Sequence, residues 1–166
     1  MPRGKRKIKK RIWQADPIYN SIAVTRFINN LMKDGKKSKA QKIFYSALDY
    51  IKEKTNSDAF KIFQQALKNA APLVEVWPRK IAGASYLVPR TVSPDRSFYK
   101  AVKFIIQAAK LKKGKPMYIR LAEELILASK NEGEAVRKKI DIQKQAEANK
   151  AFVHFAWWGK KKNKNK

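Results

Sequence analysis

The sequence predicts a mostly α-helical fold: six helices in one domain, a projecting two-stranded β-ribbon, and basic, disorder-prone tails at both ends. Three observations carry that prediction. Apolar residues recur at three- and four-residue spacing through most of the chain, the period of a helix with one buried face. The stretch from Leu73 to Pro89 abandons this spacing for β-branched and aromatic residues. Both ends carry lysine and arginine with no acid among them. The chain therefore divides into a basic arm over residues 1–15, a single helical domain over 16–158 with a hairpin at about 73–89, and a lysine-rich tail over 159–166.

Asp16-Pro17 is placed to open the first helix, whose apolar positions are Ile22, Phe27, Ile28 and Leu31. Asp34-Gly35 closes it, because glycine tolerates the left-handed turn at a helix end. Ser38 is a suitable N-cap for the second helix, with Ala40, Ile43, Phe44, Ala47, Leu48 and Ile51 on its inner face. After the loop Thr55-Asn56-Ser57, a third helix carries Phe60, Phe63, Ala66, Leu67 and Ala70 until Pro72 stops it. Leu73–Trp77 and Ala84–Val88 then read as two strands, with Arg79-Lys80-Ile81-Ala82-Gly83 as the hairpin tip. Ser93-Pro94 starts the fourth helix, where a proline loses nothing in the first turn. Its inner face is Phe98, Ala101, Val102, Ile105, Ile106 and Ala109. A basic loop from Lys110 to Pro116 leads to a fifth helix bearing Tyr118, Leu121, Ala122, Leu125 and Ala128. The sixth, from about Glu134 to Lys150, has a weak apolar face of Val136, Ile140, Gln143 and Ala146, and an aromatic-rich stretch to Trp158 follows.

Lysine and arginine number 39 against 13 acids, a formal charge of +26. The surplus is localised. Arg3 to Arg11 holds seven basic residues and Lys160 to Lys166 five, none offset by an acid. Five lysines between Lys33 and Lys42 face only Asp34, and eleven basic residues between Val76 and Arg120 face only Asp95. The segments 43–75 and 121–150 are balanced. Lysines dispersed for solubility would not leave neutral segments beside strongly basic ones, so the pattern points to a face for a polyanion.

Other classes find little to stand on. No cysteine is present, which removes disulfides, thiol catalysis and thiolate metal sites. His154 is the single histidine, so no histidine pair exists for a metal or a catalytic triad. Glu123 and Glu124 point to different sides of a helix and read as surface acids rather than an acid–base pair. Asp34-Gly35-Lys36-Lys37-Ser38 lacks the upstream glycine of a phosphate-binding loop. No apolar run of about 18 residues is long enough to cross a membrane, and the basic N-terminus lacks the apolar middle of a signal peptide. The chain is read as a non-enzyme with no cofactor and no membrane partner.

Nucleic acid is the better-supported partner. Lysines and arginines on a hairpin and two tails provide salt-sensitive phosphate affinity, and such projections enter crevices of folded RNA. Trp77, Tyr86, Phe152, Phe155, Trp157 and Trp158 are candidates for stacking on bases. Trp77 and Tyr86 also have the spacing to pair across the hairpin, which is the preferred reading for those two. An architectural DNA-binding protein of nucleoid type would share the charge and the β-arm.

The motifs narrow this. Gly35-Lys36-Lys37-Ser38 followed by Ile43-Phe44-Tyr45-Ser46-Ala47 resembles the signature of the small-subunit ribosomal protein seven family, in its bacterial or organellar form. Pro72-Leu73-Val74-Glu75-Val76 with Arg79-Lys80-Ile81-Ala82-Gly83 resembles its hairpin, and Tyr86-Leu87-Val88-Pro89 its returning strand. Ala135-Val136-Arg137-Lys138-Lys139 and Ala146 to Phe152 are similar to its last helix. The chain departs from the family at Ser93-Pro94-Asp95-Arg96-Ser97, where Arg96 alone remains of an arginine cluster, and in its lysine tail.

The resemblance implies a structural protein of the ribosome that binds the 3′ major domain of small-subunit rRNA and nucleates assembly of the subunit head. It would act in a bacterial cytoplasm or an organelle, either the mitochondrial matrix or the plastid stroma. By position it implies rRNA contacts at Arg3, Lys5, Arg6, Lys7, Lys9, Lys10, Arg11, Lys36, Lys37, Arg79, Lys80, Arg96, Lys110, Lys112, Lys113, Lys115, Arg137, Lys138 and Lys139. It also implies that Arg79, Lys80, Ile81, Gly83, Trp157 and Trp158 lie close to the exit-site tRNA and to mRNA near the decoding region. Small-subunit ribosomal protein eleven and other head proteins are the implied neighbours.

Overall fold

The computed structural model describes residues 13–156. By internal contacts the described residues form two compact units, divided between residues 41 and 42. The elements are α1 (Ile22–Leu31), α2 (Lys37–Thr55), α3 (Ala59–Ala70), β1 (Val74–Ile81), β2 (Ala84–Thr91), α4 (Pro94–Leu111), α5 (Met117–Ser129), α6 (Glu134–Ala148) and a 3-10 segment, Lys150–Ala156. Six α-helices and one ribbon are what the spacing predicts. Residues 1–12 of the basic arm, and residues 157–166 with the whole lysine-rich tail, lie outside the described residues.

In the first unit, Asp16 does not open a helix. Its carboxylate accepts the backbone N–H groups of Ile18 and Tyr19 at 3.2 and 3.1 Å, closing a local turn that competes with helix formation. Asn20 then takes a left-handed φ of 44°, and α1 begins only at Ile22. The helix buries Val24, Phe27, Ile28 and Leu31, whereas Ile22 is about half exposed. Asp34 and Gly35 both adopt positive φ, 51° and 71°, and the Lys36 N–H donates to the Lys33 carbonyl across them. The result is a tight turn that leaves Lys36 and Lys37 exposed at the start of α2.

In the second unit the core gathers the inner faces of the helices. Phe44, Leu48 and Ile51 are buried, and the Phe44 ring meets Phe63 of α3 edge-on, 5.3 Å between centroids. The α3 helix packs on α5, α5 on α4, and α6 on α4 and β1. Asp58 caps α3 by accepting the Phe60 N–H at 2.9 Å. Asp58→Ala is expected to cost about 1 kcal/mol, the usual worth of such a cap, and chemical denaturation of the variant measures it. The buried Asn69 amide donates to the carbonyls of Ala128 and Ser129 at 2.9 and 2.8 Å, and Lys139 donates to the Asn69 carbonyl at 2.8 Å. Three helices are thereby tied at one point. In α6 the expected face is only half used: Val136 and Ala146 are buried, but Ile140 and Gln143 are exposed.

Glu124 corrects an expectation. It is fully buried rather than a surface acid, accepting the Ala135 N–H at 2.9 Å and pairing with Lys112 at 2.8 Å. It caps the start of α6 from the side of α5, a role that local sequence cannot show because the acceptor lies on another helix.

The ribbon is longer than its apolar runs, and its tip is tighter. Arg79, Lys80 and Ile81 belong to β1, and only Ala82 and Gly83 turn the chain, with φ of 49° and 87°. Two left-handed residues in succession match the right-handed twist of a two-residue hairpin. Pro78 and Pro89 both sit inside the strands, opposite Leu87 and Val76. A proline keeps such a place where its missing N–H would have pointed away from the partner strand. The ribbon's base packs on α6 through β1, and β2 packs on the 3-10 segment.

Candidate nucleic-acid interface

The basic residues fall into two groups once the acids are located. In the first, cations are fixed to the protein. Glu75 is fully buried in β1 and holds three of them: Arg90 at 2.7 Å, Arg96 at 2.7 Å and Lys100 at 2.8 Å. Arg90 is its direct partner across the ribbon, and Arg96 and Lys100 sit four residues apart, on one face of α4. Burial pushes the Glu75 carboxyl up, but the hydrogen bonds from Lys100, Arg96 and Arg90 outweigh it and bring the pKa from 4.5 down to about 2. The same arginines lie over Trp77, with Arg90 4.1 Å and Arg96 5.0 Å from its ring centroid.

The loop between α4 and α5 is organised in the same way. Lys112 reaches Glu124, the Arg120 guanidinium donates to the Lys112 carbonyl, and Lys115 pairs with Glu123 at 2.5 Å. That hydrogen bond raises the Lys115 pKa and lowers that of Glu123. Arg79 donates to the carbonyl of Phe155, and Lys139 is committed to Asn69. Arg137 stands 3.9 Å from Glu134 on the exposed side of α6.

The second group projects without an ion-pair partner among the described residues. Lys80 at the ribbon tip and Lys110 and Lys113 in the α4–α5 loop are exposed, as are Lys36 and Lys37 in the first unit. Lys138 is half-buried on α6. Ile81 and Gly83 lie at the ribbon's end. The residues from Arg3 to Arg11, and Trp157 and Trp158, fall outside the described residues.

Trp77 and Tyr86 do not pair across the ribbon. The register sets Trp77 opposite Val88 and Tyr86 opposite Arg79. Tyr86 instead packs on Phe152 and Phe155 of the 3-10 segment, with centroids 5.1 and 5.4 Å away. His154 lies 4.0 Å from the Phe155 ring. Trp77 remains 41% exposed. Glu75, the hub of the fixed group, was missed because its partners come from three different positions in the fold. Its signal was present in the sequence: a lone acid in the ribbon, with Arg90 placed across from it by a turn at Ala82-Gly83.

The family described as "Ribosomal protein S7p/S5e" matches residues 3–150. The chain is similar to the small ribosomal subunit protein uS7 of Fervidobacterium nodosum, 48% identical over 153 residues that cover 92% of this chain and 99% of that protein. It is 50% identical over 142 residues to the protein of the same name from Thermosipho africanus, covering 86% and 92% of the two chains. With that of Caldanaerobacter subterraneus it shares 47% over 157 residues, 95% of this chain and all of the relative.

Proposed function

We propose, for a chain that belongs to the ribosomal protein S7p/S5e family, a structural and non-enzymatic role in the small ribosomal subunit as a binder of the 3′ major domain of its rRNA. In this reading the protein helps nucleate head assembly, with the ribbon directed toward the exit-site tRNA and nearby mRNA. Small-subunit ribosomal protein eleven and other head proteins adjoin it. Its location is the ribosome, and bacterial relatives favour the bacterial cytoplasm over an organelle. Among the described residues no helix is long and apolar enough to cross a membrane.

The observation that carries the reading is the sorting of cations. Acids hold Arg90, Arg96, Lys100, Lys112 and Lys115 in place, while Lys80, Lys110 and Lys113 project from the ribbon and a helix-connecting loop. Cations held by an acid shape the surface and keep only their net surplus of charge, whereas unpaired ones exchange their counterions for phosphates in full. A ribbon only two strands wide is narrow enough to enter a crevice of folded RNA, where shape is read.

The test is a filter-binding titration across salt, comparing the 3′ major domain RNA with duplex DNA and an unrelated structured RNA of equal length. A preference for the 3′ domain that persists at high salt is the expected result. Equal affinity for all three would reduce the chain to a general polycation, as an architectural DNA-binding protein would be. Within the same assay, Lys80→Ala, Lys110→Ala and Lys113→Ala should each lower the slope of log affinity against log salt by roughly 0.7–0.9. Each should leave thermal stability unchanged. Lys112→Ala should do the reverse, because it strips a cation from buried Glu124. An unchanged slope in all three exposed-lysine variants would remove these residues from the interface.

A further inference from the structure

We propose that the groove between the ribbon and the 3-10 segment receives an unstacked base of single-stranded RNA, with Trp77 as its stacking surface and Arg90 beside its phosphate. The inference rests on the RNA-binding reading and names a subsite within it. The groove encloses about 560 Å³ and is lined by Trp77, Arg79 and Arg90 from the ribbon and by Val153 and Ala156 from the 3-10 segment. That volume falls within the roughly 300–1,000 Å³ of clefts that hold small ligands.

Its chemistry fits a nucleotide. Trp77 is a large aromatic residue in the wall of a cleft, yet 41% exposed. Two guanidinium groups lie over its ring, and flat aromatic and guanidinium surfaces are what splayed-out bases stack on. Among the described residues no acid lines the groove. The nearby carboxylate, Glu75, is buried and opposed by three cations, so the cluster keeps a surplus of two positive charges for a phosphate. Glu75 also holds Arg90 and Arg96 in position before any ligand arrives, which lowers the ordering cost of binding. An acidic peptide would satisfy the charge but would leave the aromatic plane without a counterpart. A base inside a duplex would first have to leave its stack, and this selects single-stranded RNA.

The experiment uses the full chain and a short single-stranded oligoribonucleotide carrying 2-aminopurine, whose fluorescence is quenched on stacking. An oligonucleotide of the same length with an abasic site at that position is the control. The wild-type protein should quench the fluorophore. Trp77→Ala should abolish the quench and weaken binding roughly tenfold, with the salt slope intact because the phosphate contacts remain. Trp77→Phe should retain most of both. Val153→Glu, at an exposed position of the groove's far wall, should lose the quench with Trp77 and the ribbon unaltered.

Equal quenching by the wild type and Trp77→Ala overturns the proposal, and so does equal affinity for the abasic and intact oligonucleotides. Wild-type binding to the 3′ domain RNA without a Trp77-dependent quench sinks the groove alone. Failure of the wild type to bind either RNA sinks the groove and the proposed function together.

Discussion

Glu75→Leu is expected to lower the stability of the fold by about 2–3 kcal/mol at neutral pH, a large effect for one side chain in a ribbon. The carboxylate is fully buried, and its pKa of about 2 against an ordinary 4.5 corresponds to about 3 kcal/mol of preference for the charged form. Arg90 and Arg96 reach solvent with side chains 45% and 43% exposed, so screening reduces that figure somewhat. Because the folded-state pKa is depressed, the folded protein binds fewer protons than the unfolded chain in acid. The stabilisation is complete above about pH 4.5 and disappears as the pH falls toward about 2. Urea denaturation of the wild type and the variant, at pH 7 and again near about pH 3, separates this effect from simple packing loss. The two proteins should converge in acid by part of their neutral-pH difference. A gap that stays constant across the range would mean that the ion cluster contributes nothing.

Gly133→Ala is expected to be the most damaging glycine substitution in the described chain, at about 2–4 kcal/mol. Its φ of 89° with ψ of 169° belongs to a region that is almost closed to side chains. A Cβ there would stand 2.9 Å from Glu124 Oε1 and 3.1 Å from the Leu127 Cβ. The oxygen it would displace is the one that accepts the Ala135 N–H, so the cap of α6 would fail together with the backbone. Gly114→Ala provides the contrast. It shares a positive φ, 82°, but nothing lies within 4 Å of its Cβ. Its cost should be about 1 kcal/mol, from backbone strain alone. Comparing the two variants by thermal unfolding isolates the steric part, and equal losses would show that the Glu124 contact is easily moved.

Helix positions were legible in the sequence wherever a single buried face set the period. Phe44, Leu48 and Ile51 of α2 and Ala101, Val102, Ile105 and Ile106 of α4 are buried as their spacing requires. Legibility failed where a side chain works across elements. Asp16 looked like a helix start because an Asp-Pro pair carries that local meaning, yet the carboxylate closes a turn of its own. Glu124 looked like surface charge because an acid in a helix usually is, and only the neighbouring start of α6 explains its burial. At the candidate interface, charge counting located the basic segments but could not separate Lys113, which projects, from Lys112, which is consumed by Glu124. The ribbon tip decided the remainder. Setting the turn at Ala82-Gly83 instead of across Arg79 to Gly83 pairs Glu75 with Arg90 and moves Trp77 away from Tyr86.

The two prolines of the ribbon bear on how the protein behaves at high concentration. A two-stranded sheet has an open edge along both long sides, and an open edge is a template on which a second copy can add its own strand. Strand addition needs an uninterrupted row of donors. Pro78 on β1 and Pro89 on β2 each remove one, so both rows are interrupted within the strand. Lysine and arginine along the same strands add repulsion between copies. Prolines and like charges along both edges thus disfavour the annealing of one ribbon to another.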